Sequence, residues 1–205
     1  GNFRGGVSPL GAAELDKVLE ILFAHSSSDE EGVRNVVAEC LGRLTARDPA
    51  GLMPELRTRV DPAGAGRDPN TRMTAVTAAK YAVLASTDAS LPAISDNLRI
   101  FVGQAPLTDE DRGVRRAAVQ TLSAAAHARA SLVLPLLPDL LPILLEQTVI
   151  IKELIRVVDL GPFKHTVDDG LDLRKAAFEC CDTLLHTCLA PGGGVQLEHL
   201  NAAPG

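Results

Sequence analysis

Three groups of residues carry donor types that could do chemistry. Cys181, His186 and Cys188 have the side chains that hold zinc. At roughly 100° per residue on a helix, Cys181 and Cys188 share a face while His186 lies about 200° round from Cys188, so the three do not converge on one ion. Asp168, Asp169 and Asp172 surround Gly170 but lack the alternating oxygen ligands and closing Glu of a calcium loop. They suit the start of a helix better. The run Gly64-Ala65-Gly66-Arg67 has the glycines of a phosphate loop without the preceding strand or the Lys-Ser/Thr that such a loop needs. No Ser-His-Asp or Cys-His grouping emerges, so no catalytic, metal or cofactor residue is assigned. His165 is the one histidine in a functional position, as a surface contact.

The elements that position these residues follow a repeat. Four segments align on an arginine, at Arg34, Arg72, Arg115 and Arg174. Each has an Asp four or five positions earlier (Asp29, Asp68, Asp111, Asp169), a small or β-branched residue at +3 (Val37, Ala75, Ala118, Ala177) and a core-type residue at +7 (Leu41, Ala79, Leu122, Cys181). An Asp ahead of a helix accepts from its free N–H groups and suits the positive end of the dipole, so the four aspartates read as caps. The arginines read as solvent-facing groups or as salt bridges between repeats.

A second helix precedes each of these. Leu15, Val18, Leu19 and Leu22 follow one-sided helical spacing, as do Leu91, Ile94, Leu98, Phe101 and Val102. The stretch from Val133 to Leu145 is apolar on nearly all sides, as a sandwiched helix would be. The arginines are 38, 43 and 59 residues apart. The first two spacings approach or fall within the roughly 40–47 residues of HEAT and armadillo units, and two helices per unit favour HEAT. The expected fold is all-α, a HEAT-repeat solenoid of eight helices in four pairs. Leu41, Leu122 and Leu184 are expected in its core, and 62–70 and 108–113 read as turn-rich breaks.

The third spacing is 16 residues longer than the second. The extra residues include Glu153–Leu160, the turn pair Gly161-Pro162, and a second β-rich run from Phe163. This reads as a β-hairpin inserted between the helices of the last repeat. An alternative is open at this point: 149–162 also shows helical spacing at Ile151, Leu154, Ile155 and Val158. A lone hairpin is marginal in water, so it needs a partner or the side of the solenoid.

The composition fits an elongated helical chain, with no Trp, one Tyr, five Phe and 46% hydrophobic residues in 205. A net charge of −6 gives no electrostatic reason to bind nucleic acid or anionic lipid. No apolar run long enough to cross a bilayer and no signal peptide are apparent, so a cytoplasmic or nuclear location is expected. The four cysteines, Cys40, Cys180, Cys181 and Cys188, all fall in helical segments and are expected to be reduced and buried. The chain opens without Met and closes in a Gly-rich tail, the pattern expected of a fragment.

The segment Lys152–Cys180, KELIRVVDLGPFKHTVDDGLDLRKAAFEC, resembles the late C-terminal repeats of the cullin-associated, neddylation-dissociated proteins, also described as TATA-binding-protein interactors. Glu30–Thr45 resembles the same family at a compatible distance upstream, and Val114–His127 does so more weakly. The resemblance covers roughly Leu15–Leu189 and departs after Leu189. It implies a long HEAT solenoid that wraps an unneddylated cullin and its RING partner and exchanges substrate-receptor adaptors, with possible binding of the TATA-binding protein. In the family a projecting hairpin competes with the adaptor. Carried over, the partner-binding residues are Ile155, Arg156, Phe163, Lys164 and His165. The expected layout is a disordered segment at 1–10 and a repeat array at 11–190, followed by a disordered tail at 191–205. Within the array the repeats lie near 11–48, 49–87, 88–128 and 131–190, with the insertion at 149–169. The rival reading is a generic HEAT scaffold or transport adaptor in which the insertion is incidental.

Overall fold

The computed structural model describes residues 12–161 and 163–188, apart from the side chains of Ala12, Leu160 and Phe163. The expectations for both termini lie outside the described residues. The chain runs through α1 (Ala12–Ala24), α2 (Glu31–Arg47), α3 (Pro49–Val60), α4 (Pro69–Leu84), α5 (Leu91–Val102), the short α6 (Gln104–Leu107), α7 (Arg112–Val133) and α8 (Leu137–Glu146). It continues through β1 (Ile155–Leu160), β2 (Phe163–Asp168) and α9 (Leu171–Cys188), with 3-10 turns at Leu134–Leu136 and Lys152–Leu154.

The four arginine-bearing helices form one row: α2 packs on α4, α4 on α7 and α7 on α9. The other layer holds α3 and α5, which pack on each other and on α4, while α1 meets α2 and α8 meets α9. This is the expected solenoid of four helix pairs, with α6 as an added turn that buries Pro106 and Leu107. The shared register explains the row. Val37, Ala75, Ala118 and Ala177 are all buried, as are Leu41, Ala79, Leu122 and Leu184, while Cys181 is half-buried. Small residues bring the axes close. A methyl group on Gly42 would strike the Ala78 carbonyl oxygen and the Tyr81 Cβ across the α2–α4 contact.

Polar side chains stitch the row at intervals. Thr74 donates to the Ser26 carbonyl at 2.6 Å, Thr121 of α7 donates to the Val76 carbonyl of α4 at 3.1 Å, and Ser123 of α7 donates to Thr183 of α9 at 3.1 Å. The largest buried side chain is Arg72, only 1% exposed. Its Nε and Nη2 donate to the two carboxylate oxygens of Asp109, each at 2.8 Å, and its Nη1 donates to the carbonyls of Gly66 and Arg67. This is a salt bridge between repeats, as read from the sequence.

Two of the four expected caps are present. Asp68 accepts from the Thr71 N–H at 3.1 Å, and Asp111 accepts from the Gly113 and Val114 N–H groups at 2.8 and 3.1 Å. Asp29 and Asp169 do not cap. Helix α2 begins after Glu30, one residue too late for Asp29 to reach it, and the Asp169 carboxylate is engaged by Arg156.

Three further expectations are corrected. The stretch Val133–Leu145 is not one helix apolar on all sides: α8 buries only Leu137, Leu140 and Leu144, and Leu145 is 48% exposed. Pro135 falls in the 3-10 turn, and Pro138 and Pro142 each remove an N–H from α8. The segment Arg112–Glu146 is long and apolar enough, by length and composition, to cross a membrane, contrary to the expectation from the lack of a long continuous apolar run. Non-helical backbone at Arg129 (φ −151°, ψ 72°) and the 3-10 turn divide it, and Val119, Leu122, Val133 and Leu140 join the core. Finally, Cys180 and Cys188 are buried, but Cys40 is exposed.

Candidate interaction site

The hairpin forms where β-branched residues crowd. After α8, the bonds from Thr148 N–H to the Leu145 carbonyl and from Val149 N–H to the Glu146 carbonyl mark a fraying end. The run Val149-Ile150-Ile151 then disfavours further helix, and Ile151 is already extended (φ −99°, ψ 105°). The helical alternative for 149–162 therefore fails. Gly161 turns the chain with φ +67°, a conformation that glycine adopts without a steric penalty.

The antiparallel register pairs Ile155 with Asp168, Val157 with Thr166, Val158 with His165 and Asp159 with Lys164. Directly opposed residues share a face of the ribbon, and neighbours along a strand alternate. One face therefore carries Ile155, Val157, Asp159, Lys164 and Thr166. The other carries Arg156, Val158, His165 and Val167, with the Phe163 position. The five residues assigned from the resemblance are thus split: Ile155 and Lys164 lie on one face, Arg156, Phe163 and His165 on the other. Ile155, Arg156, Lys164 and His165 are exposed, while the Phe163 side chain lies outside the described residues. Val157, which the five assigned contacts leave out, is 62% exposed on the same face as Ile155.

The foot of the ribbon is fixed by charge. Arg156 donates to both oxygens of Asp169, from Nε at 2.8 Å and from Nη2 at 3.2 Å. Asp168 accepts from Arg174 Nη1 at 2.6 Å and from the Gly170 N–H at 2.9 Å. The Arg174 guanidinium and the Gly170 N–H hold the Asp168 carboxyl below its ordinary pKa, and Arg156 does the same for Asp169. A backbone bond from Asp169 N–H to the Leu154 carbonyl, 3.0 Å, closes the foot. Asp168 and Asp169 thus clamp the hairpin to α9, and Asp172 lies 3.7 Å from Arg116. His186 Nδ1 lies 2.9 Å from the Asp182 carbonyl on its own helix.

A family profile described as TATA-binding protein interacting (TIP20) matches residues 132–200, which include the hairpin and α9. Over 177 residues the chain is 51% identical to Cullin-associated NEDD8-dissociated protein 1 of Arabidopsis thaliana, a span of 86% of this chain and 14% of that protein. It is 43% identical over 187 residues to Cullin-associated NEDD8-dissociated protein 2 of Mus musculus, covering 88% of this chain and 15% of the relative. The chain belongs to the cullin-associated NEDD8-dissociated family. A third member, protein 1 of Drosophila melanogaster, is 41% identical over 201 residues, 96% of this chain and 16% of its own length. This chain therefore spans about one seventh of the relatives it matches. The profile match also runs past Leu189, where the resemblance to the family was expected to stop.

Proposed function

We propose that this chain is a non-catalytic regulator of cullin–RING ubiquitin ligase assembly. It binds a cullin that carries no NEDD8, together with the RING partner, and excludes substrate-receptor adaptors by occupying their docking surface. The observation that supports this reading is the hairpin Ile155–Asp168, whose two strands have each other as chief neighbours and whose apolar Ile155 and Val157 are exposed. Such a ribbon is marginal alone and gains stability when a partner covers it. Competition for a surface needs no bond chemistry, so no residue is given a catalytic role and no cofactor is required. Ile155, Phe163, Lys164 and His165 are the proposed contacts. Arg156 serves from the foot, where it is held by Asp169. The TATA-binding protein is a second proposed partner, supported by the description of the matching profile. The proposed setting is the cytoplasm or nucleus.

The test is adaptor displacement from a purified unmodified cullin–RING complex, using the complete gene product with and without Val157→Asp or Phe163→Asp. An aspartate driven into an apolar docking surface is an unpaired buried charge, so displacement should weaken at least tenfold while helix content stays unchanged. Equal displacement by folded variants would remove the hairpin from the mechanism and favour the generic scaffold.

A further inference from the structure

A cavity of about 130 Å³ lies where the starts of α7 and α9 meet the end of α8 and the foot of the hairpin. Arg112, Arg115 and Arg174 line it, with Glu146 as the one carboxylate on its wall. In a chain of net charge −6 this is a local concentration of positive charge.

The three arginines are not equally occupied. Arg174 is held by Asp168 at 2.6 Å. Among the described residues, neither Arg112 nor Arg115 comes within salt-bridge distance of a carboxylate, and Glu146 is paired with none of the three. Asp169, forked by Arg156, feels Arg112 only at longer range. The Nε–H of Arg115 is buried with no acceptor. Its register mate Arg72 shows what is missing. Arg72 is satisfied by Asp109, which stands six residues before Arg115. The carboxylate six residues before Arg174 is Asp168, and it has turned back to Arg174 itself. Arg115 therefore lacks the carboxylate partner that Arg72 has.

We propose that this cavity is a binding site for a compact dianionic oxyanion, a phosphate group, held by Arg115 and Arg112. Two free guanidiniums match a dianion better than a single carboxylate, and guanidinium forks suit the oxygens of phosphate. The volume of about 130 Å³ admits a phosphate group and is well below the roughly 300–1,000 Å³ of drug-sized ligand sites. This site stands apart from the competition reading above, because it uses no exposed residue of the ribbon.

The test titrates the full chain with inorganic phosphate, with a short phosphoserine peptide and with acetate, all at fixed ionic strength in potassium chloride, followed by calorimetry. Saturable binding of phosphate but not of acetate is expected, and Arg115→Gln should weaken it at least tenfold with circular dichroism unchanged. If that variant does not fold, Arg112→Gln at an exposed position carries the test, with a loss of at least threefold. A phosphopeptide that binds tenfold tighter than free phosphate assigns a protein-borne source, and equal binding assigns the free ion. Absence of saturable phosphate binding, acetate binding as tight as phosphate, or folded arginine variants that bind like the parent would each overturn the assignment.

Discussion

Arg72 of α4 and Asp109, which precedes α7, form a two-point ion pair across 37 residues of sequence, with Arg72 almost wholly buried. The hydrogen bond from Arg72 to Asp109 favours the charged guanidinium, and with Glu110 and Asp111 this carboxylate outweighs the burial that opposes it. Removal of one partner leaves an uncompensated buried charge, so Asp109→Ala should destabilise by about 3–5 kcal/mol. The double variant Arg72→Met with Asp109→Leu should recover most of that loss. Urea unfolding of the three variants measures the coupling. Additive losses would show that the two groups act independently.

Leu122 is fully buried between α7 and its neighbours, so Leu122→Ala should cost about 2–5 kcal/mol in thermal unfolding. Gly42→Ala is a smaller chemical change that should also destabilise, by about 1–3 kcal/mol, because the added methyl meets backbone of α4 instead of a movable side chain. A neutral Gly42→Ala would mean that α2 and α4 can part at no cost.

The thiols should separate by reactivity. Burial pushes Cys180 up to about 12, and the neighbouring Cys181 and Cys188 add to the shift. Iodoacetamide near neutral pH should therefore label Cys40 in the native chain and spare Cys180 and Cys188 until the chain is unfolded. Mass spectrometry of quenched samples gives the order, and early labelling of Cys180 would contradict the packing of α9 on α7.

Asp168 and Asp169 are both held below the ordinary carboxylate value, so the native chain binds fewer protons than the unfolded chain around and below about pH 3.9. Their contribution is present above that value and is lost as pH falls through the depressed native values. Carbon-13 titration of the two carboxyls should give midpoints below that of free Asp, with the β1–β2 ladder loosening in the same range. Arg156→Met should return Asp169 toward the ordinary midpoint. Midpoints at or above the ordinary value would show that the clamp does not form.

Much of the fold was legible because helix periodicity is local. The spacing of Val37 and Leu41, repeated at Ala118 and Leu122, places one buried face on each helix. The hairpin was legible in Val157-Val158 and the turn after Leu160. Residues whose roles depend on distant partners were not. An Asp before a helix reads as a cap, and nothing near Asp169 reveals that Arg156, thirteen residues earlier, will take it. The exposure of Cys40 depends on which face of α2 meets α4. The cavity at Arg115 was invisible because three separated segments build it.

The two adjacent aspartates at the foot of the hairpin pull in different directions, Asp169 toward the strand through Arg156 and Asp168 toward the helix through Arg174. Three residues on, Asp172 reaches Arg116, and Arg116 in turn reaches Glu31 at 3.3 Å. The ribbon, about 20 Å long for six residues a strand, is thus rooted on both sides of its base at the first turn of α9. Ion pairs from that same turn join the heads of α9, α7 and α2, so the base of the ribbon and the row of helices are tied together at one place.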